Sequence, residues 1–412
     1  MSIKIDELKN NGDGSSKISN KKIFISKTAI GDVVDYDIVR ENKDCIIAKI
    51  KNIKEKSQDR VENIICPYYD KCGGCNLLHL KEEVYKKFKY NILQNILNKT
   101  NYKLDKIKLI NIDFYERRRI TLQVKNNKLG FFEKYSNNLV EINSCPLITK
   151  SINNIIPTLQ NFIKHIICEE ISITDYENGL EILFTFKKEL KDEENNILKN
   201  FIQENENIIL VSYKINNESP FLFFQKTTPI LTFDNDIKIE LTHNIFLQAT
   251  KKGQKEITKI VVDNLKTSKK ILDLYCGIGT YTFPLSKYTK IHSIEGNQDM
   301  IDILNNNIKN NQLNNKITTE CRNLVSMPLL HTELNNYDGI VINPPRNGAL
   351  AQCSFIVKSN VKKVVMVSCN PETFIKDTQE LKNGGYKLIS LTGIDQFYKT
   401  HHLEVVGVFI KE

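Results

Sequence analysis

Between residues 1 and 60, apolar and polar positions alternate in short runs, "KKIFIS", "GDVVDYDIV" and "CIIAKIKNI", parted by turns that contain Gly and Asn. A period of two in short segments predicts a small β-barrel. Residues 61–80 break the pattern with clustered Cys, Pro and Gly. Over 81–98 the period changes, because Val84, Phe88, Ile92 and Ile96 lie four apart and predict a helix. From 114 to 240 the runs "RITLQVK", "GLEILFTFK" and "IILVSYKI" mix with a helical segment near 151–165, an α+β pattern. The stretch "KDEENN" near 191 reads as solvated surface.

From about 243 onward, apolar strands alternate with helices. The strands are "KILDLY", "IHSIE", "KITTEC", "YDGIVIN", "VKKVVMVSC", "LISLTGI" and "EVVGVFI". Helical segments separate the first six, and the last two are joined without one. This predicts a seven-stranded, mostly parallel, doubly wound α/β sheet with an antiparallel last strand. Ligands of such sheets sit beyond the carboxyl ends of the strands. No internal repeat is visible.

A chain of 412 residues holds two to four domains. Its start, "MSIKIDELKN", has no apolar signal-peptide core, and no run of about 18 apolar residues suggests a membrane span. A cytoplasmic location is expected, where ten cysteines are reduced, metal-bound or catalytic rather than disulfide-bonded. The net charge of +9 favours a polyanionic partner only weakly. Arginine is more telling: of seven, three are consecutive, Arg117, Arg118 and Arg119. In a chain that uses Lys almost everywhere else, an Arg run suggests planar, bidentate contact with phosphate. The competing reading is a solvated charge run.

Candidate chemistry gathers at the predicted strand ends. "ILDLYCGIGTYTFPLS" reads as strand, glycine turn and helix, with Gly277 and Gly279 allowing close backbone approach to a ligand. Only two glycines are present, so the three-glycine dinucleotide fingerprint is not met. Glu295 ends the next strand, where a carboxylate can accept both hydroxyls of a ribose. This combination favours S-adenosylmethionine (SAM) over NAD, against a plain reading of Asp273 and Glu295 as helix cap and surface charge. "VINPPRNGA" ends the fourth strand with Arg346 where enzymes methylating exocyclic amines carry an aromatic residue, which leaves room for methylation at carbon.

"VVMVSCNPETF" places Cys369 where a core strand stops. Carbon 5 of a pyrimidine is too weak a nucleophile to attack a methyl sulfonium. A thiolate added at carbon 6 activates it, and a base must then remove the carbon 5 proton. Glu404, at the start of the last strand, is the candidate base, with His401 and His402 nearby as orienting groups or plain surface. "CPYYDKCGGC" supplies Cys66, Cys72 and Cys75, and "NSCPLI" supplies Cys145. Four thiolates suit a 4Fe–4S cluster or a zinc ion. The spacing differs from that of radical SAM enzymes. The remaining cysteines, Cys45, Cys168, Cys276, Cys321 and Cys353, read as core or neutral positions.

Together "CPYYDKCGGC" with Cys145, "FLQAT", "LDLYCGIGT", "NPPR", "SCNP" and "HHLE" make nearly the whole chain resemble the RNA (uracil-5-)-methyltransferase family, in its iron–sulfur 23S ribosomal RNA branch. The resemblance implies an OB-like, RNA-binding TRAM barrel over 1–62 and a central α+β domain bearing the four-cysteine cluster over 63–80 and 113–240. It also implies a Rossmann-like SAM-dependent catalytic domain over 81–112 and 241–412. Cys369 becomes the nucleophile and Glu404 the proton acceptor. Gln248, Tyr275, Thr280, Glu295, Asn323 and Asn343, with Gly277 and Gly279, fall where the family holds SAM, while Arg117–Arg119 and Arg346 would meet RNA. Three positions depart from the family pattern. Thr250 and Thr280 stand where Asn is usual, and Asn343 where Asp is usual, so re-tuned SAM binding is expected. The implied function is methylation of carbon 5 of a uridine in ribosomal RNA by a monomer. The alternatives are the T-loop uridine of tRNA, a cytosine target, and a non-catalytic RNA-binding relative.

Overall fold

The computed structural model describes residues 2–233 and 237–412, so Met1 and residues 234–236 of the expected central segment lie outside the described residues. Three large sheets organise the chain.

The first has six strands, in the order Ser2–Lys4, Val33–Glu41, Cys45–Glu55, Lys21–Ile25, Gly14–Ile18, Glu7–Leu8. Its two edge strands are neighbours in sequence, parted only by Ile5 and Asp6, so the sheet curls until its edges meet. Ile5, Ile23, Ile25, Val34, Ile46 and Ala48 fill its inside, the alternate positions of the runs seen in the sequence. Three register shifts along the pairing of Val33–Glu41 with Cys45–Glu55 bend the long strands, as bulges do.

The second sheet has seven strands, from Leu139–Glu141 at one edge to Phe221–Gln225 at the other. All its pairs are antiparallel except Leu180–Phe186 with Ile208–Ile215, which the helix Asp192–Glu204 connects. Helix Lys150–Phe162 packs on the same core through Ile152, Ile155, Ile156 and Leu159.

The third sheet runs Ile317–Cys321, Lys290–Glu295, Lys270–Leu274, Gly339–Ile342, Lys363–Ser368, Glu404–Ile410, Lys387–Asp395, Lys108–Asn111. The seven expected strands are present, with Glu404–Ile410 antiparallel to both its neighbours. The sheet nevertheless has eight, because Lys108–Asn111 adds a parallel edge strand to Lys387–Asp395. That four-residue strand is too short and too polar to stand out by periodicity. Preceding it, helix Glu82–Thr100 packs against helix Pro371–Asn383 and strand Lys387–Asp395. Phe88, Ile92 and Ile96 of the expected stripe are buried, whereas Tyr85, not Val84, occupies its first core position. Each such side chain contributes about 1.5–3 kcal/mol on burial, which outweighs the modest intrinsic preference of the helix.

Strand Lys270–Leu274 has Lys290–Glu295 on one side and Gly339–Ile342 on the other, so the connections leave in opposite directions from its end. That switch point opens a crevice. No helix among the described residues is long and apolar enough to cross a membrane.

Candidate active site

A cavity of about 980 Å³ lies at the switch point. Its walls come from strand ends of the third sheet, from the second sheet and from the cysteine-rich loop, so three separate stretches of chain must fold before it exists.

The glycine turn forms the floor. Tyr275, Gly277 and Gly279 take φ of +59°, +53° and +85°. A Cβ placed on Gly277 would meet nothing within 4 Å, so the backbone there faces open cavity. Gly279 differs. A Cβ there would sit 2.7 Å from Leu304 Cδ1 and 2.9 Å from Phe283 Cε2, so this glycine permits core packing and does not reach the cavity wall. Glu295 does reach it: its Oε2 accepts from Gly277 N at 3.0 Å, and its Oε1 accepts from Gly296 N and Asn297 N. Three N–H donors thus fix a carboxylate whose oxygens keep lone pairs for a further donor. Asp273 is buried beneath the turn and accepts from Thr282 Oγ at 2.6 Å; burial pushes its carboxyl up to about 7.

Tyr275, Thr280, Asn343 and Gln248 line the cavity as expected from the sequence. Asn323 does not. It is exposed, and its Oδ1 accepts from Val325 N and Ser326 N, turning the chain after Ile317–Cys321. Thr250 is also off the wall; its Oγ1 caps helix Lys251–Leu265 by accepting from Gly253 N at 2.9 Å.

Cys369 follows strand Lys363–Ser368 and precedes a helix capped by Asn370, whose side chain accepts from Glu372 N, with Pro371 at its first position. Strand end, cap and proline hold the half-buried sulfur at the cavity wall. Burial pushes the Cys369 thiol above its ordinary value, and the neighbouring Glu404 carboxylate pushes the same way. The Arg346 guanidinium pulls it back, by its charge and as a hydrogen-bond donor. Arg346, expected from the resemblance to meet RNA, stands beside the sulfur. Its loop is pinned from helix Pro371–Asn383, where Asn370 Nδ2 and Thr373 Oγ1 donate to the Arg346 carbonyl.

Glu404 lines the same cavity and is 3% exposed. Burial pushes its carboxyl up to about 7, opposed by the side chain of Gln396, whose Nε2 donates to Glu404 Oε2 at 2.9 Å. His401 and His402 do not orient it. Their rings lie against each other, tilted by 37° with centroids 4.0 Å apart, and His401 Nδ1 meets Asn76 Nδ2. Gln396 was not singled out from the sequence. The only local signal was its position one residue past an apolar strand.

Cys66, Cys72, Cys75 and Cys145 line another wall of the cavity. Gly73 lets their loop approach strand Lys128–Phe132, since a Cβ would sit 2.6 Å from the Phe132 carbonyl. Asn153 clasps Cys145, accepting from its N–H at 2.8 Å and donating to its carbonyl at 3.0 Å. The buried Lys27 reaches across from the first sheet and donates to the carbonyls of Tyr69, Asp70 and Cys72 at 2.5, 3.2 and 2.8 Å. Burial pushes the Cys145 thiol up to about 11, and Cys66, Cys72 and Cys145 each push the Cys75 thiol higher. The four sulfurs thus sense one another. Yet no three His, Cys, Asp or Glu side chains among the described residues are arranged around one metal ion.

The arginine run divides. Arg118 is 1% exposed, donating to the Gln248 carbonyl at 2.9 Å and to Gln254 Oε1 at 2.6 Å. It cannot grip phosphate, because alternation along the extended chain turns the middle residue inward. Arg117 and Arg119 line the cavity, their guanidinium groups over the rings of Phe397 and Phe246 at 5.8 and 4.7 Å.

The chain is 28% identical to the 23S rRNA (uracil(1939)-C(5))-methyltransferase RlmD of Shewanella woodyi, over 99% of this chain and 95% of the relative. It is 30% identical to an uncharacterized RNA methyltransferase of Caulobacter vibrioides, over 97% of each. The crystal structure of Pyrococcus abyssi tRNA (uracil-54, C5)-methyltransferase in complex with S-adenosyl-L-homocysteine superposes with a TM-score of 0.79 at 22% identity, covering both chains entirely. That likeness establishes a shared multi-sheet methyltransferase fold. The model of the tRNA (Uracil-5-)-methyltransferase family matches residues 86–412. The chain belongs to that family and is an RNA uracil-5-methyltransferase.

Proposed function

We propose that this enzyme methylates carbon 5 of one uridine in 23S ribosomal RNA, with Cys369 as nucleophile and Glu404 as proton acceptor. The observation that carries the reading is that both side chains line one cavity with the glycine turn and Glu295. The Cys369 thiolate adds to carbon 6, and the ring electrons move toward carbon 5, which takes the methyl group. Glu404 then accepts the carbon 5 proton, and the C–S bond breaks. SAM, when bound, supplies the electrophilic methyl. Gly277, Thr280, Glu295, Asn343 and Gln248 would hold it, since the open space over Gly277 and the prearranged Glu295 carboxylate fit an adenosyl group. Arg346 favours the thiolate.

The four cysteines would hold a 4Fe–4S cluster. The donor set fits, and a cube spreads its thiolates more widely than one zinc, which needs all four sulfurs about 2.3 Å from a single centre. The cluster's part is structural: it would tie the 66–75 loop to Cys145 in the cavity wall. The barrel over 1–62, with Arg117 and Arg119, would grip RNA, which positions the target without reading sequence.

The ribosomal target rests on the relative matched over nearly the whole chain. The test is mass spectrometry of nucleosides from ribosomal and transfer RNA of a deletion strain. Loss of 5-methyluridine from 23S RNA alone is expected. Loss from tRNA alone, the target in the matching family's name, overturns the ribosomal assignment. Loss of 5-methylcytidine overturns uridine.

A further inference from the structure

We propose that Gln396 is a positioning residue: its side-chain amide bridges Gln248 and Glu404, holding the proton acceptor ionised and with one oxygen turned to the substrate. The inference rests on the reading of Glu404 as that acceptor.

Gln396 is 2% exposed and follows directly on strand Lys387–Asp395. Its single Nε2 donates to Gln248 Oε1 at 2.8 Å and to Glu404 Oε2 at 2.9 Å. One amide thus ties the stretch before helix Lys251–Leu265 to the last strand of the sheet. The bridge is built into the fold from two sides. Gly253 stands inside the helix, where glycine is a poor helix former, and a Cβ there would lie 3.0 Å from both Cβ and Oε1 of Gln396. On the other side, Asp395 is clamped by Lys89 at 2.7 Å and by the Tyr85 hydroxyl at 2.6 Å, all three buried. That clamp fixes the chain from which Gln396 projects.

The consequence follows from which oxygen is taken. Oε2 is held by the amide, so Oε1 is the atom that accepts the carbon 5 proton. In that step the C5–H bond breaks and its electron pair forms the C5=C6 double bond. The C6–S bond breaks, its pair returning to the Cys369 sulfur, and the proton ends on Glu404. Only the ionised carboxylate can take it, and Gln396 donates to that ionised form. The groups facing Glu404 are Cys369 from the neighbouring strand, Tyr281 ahead of helix Thr282–Ser286, and Gln396 itself. Behind Gln396, Arg117 and Asp113 share a small cavity with it. Gln396 is the donor that favours the ionised carboxylate.

The test measures turnover against pH for Gln396→Met and Gln396→Glu, using undermethylated total RNA from a deletion strain and labelled SAM. Gln396→Met removes the donor, so the acid limb of kcat moves to higher pH. At pH 7 a one-unit shift from about 7 cuts the ionised fraction, and with it kcat, about fivefold; the loss approaches about tenfold further into acid and disappears in alkali. Covalent protein–RNA adduct accumulates on denaturing gels, because elimination slows while addition does not. Gln396→Glu keeps the shape, adds a like charge and moves the limb further. An unshifted limb without adduct in either folded variant overturns the proposal. Glu404→Gln turning over at the wild-type rate overturns instead the acceptor reading beneath it.

Discussion

Two sets of thiols face one cavity among different neighbours. Cys369 is half-buried, close to a buried acid, and has a guanidinium donating to its sulfur. Cys75 and Cys145 are likewise partly buried, but among other thiols, with Lys27 and Arg117 as their nearby cations. Lys27 spends its donors on loop carbonyls rather than on sulfur. In the first, burial and Glu404 raise the thiol while the Arg346 guanidinium offsets part of that rise. The second opposes any thiolate unless a cation much stronger than lysine displaces the protons, which is the condition of a metal or cluster ligand. Burial is common to both, and backbone N–H groups reach the second set as well, Gly74 N donating to Cys72 Sγ at 3.4 Å; a cationic side chain set against the sulfur is what Cys369 has in addition.

Substitutions break that comparison in decreasing order of effect. Cys369→Ala is expected to abolish methyl transfer and adduct formation while leaving bound iron unchanged. Cys75→Ser is expected to do the reverse, losing iron and the cluster absorbance while the Cys369 adduct can still form; equal iron in both proteins would sink the distinction.

Glu404→Gln is expected to slow turnover about 10²–10⁴-fold and trap the adduct. The same change should stabilise the fold. A carboxyl raised from 4.5 to about 7 disfavours the folded state increasingly as pH climbs through that interval, by about 3 kcal/mol at its upper end. Thermal melts at pH 5 and pH 8 check the sign: the variant's advantage should appear only at the higher pH.

Arg346→Ala removes the donor to the sulfur, so the Cys369 thiol rises further. Activity is expected to fall about tenfold near neutrality, as for a one-unit shift, and to recover partly in alkali. A wild-type alkaline profile of kcat/KM would show that the guanidinium serves RNA instead. Lys27→Met leaves loop carbonyls unpaired at the other thiol set, a loss of about 1–3 kcal/mol seen as a lower Tm, with the Cys369 pH profile unmoved.

The strands 271–274 and 339–342 were legible because burial on both faces favours an apolar run, broken here only by Asp273. So were Cys369 and Glu404, each at a strand end. Gln396 was not legible: an amide one residue past a strand carries no periodic or compositional mark. Arg118 was misread because a charge run looks the same whether its middle member faces water or a carbonyl. Asn323 and Gly279 matched a pattern of residue types, yet one turns its own chain and the other packs a core.

The order of strands and helices, the glycine turn and the strand ends that carry the candidate reactive groups were written in the sequence, because they follow from local period, backbone freedom and side-chain chemistry. Which groups meet was decided only by tertiary structure. Residues 248, 396 and 404 come together, as do 27 and 72, through contacts between elements far apart in the chain. No local pattern encodes a distance across a fold, and the protonation of a buried acid depends on that distance.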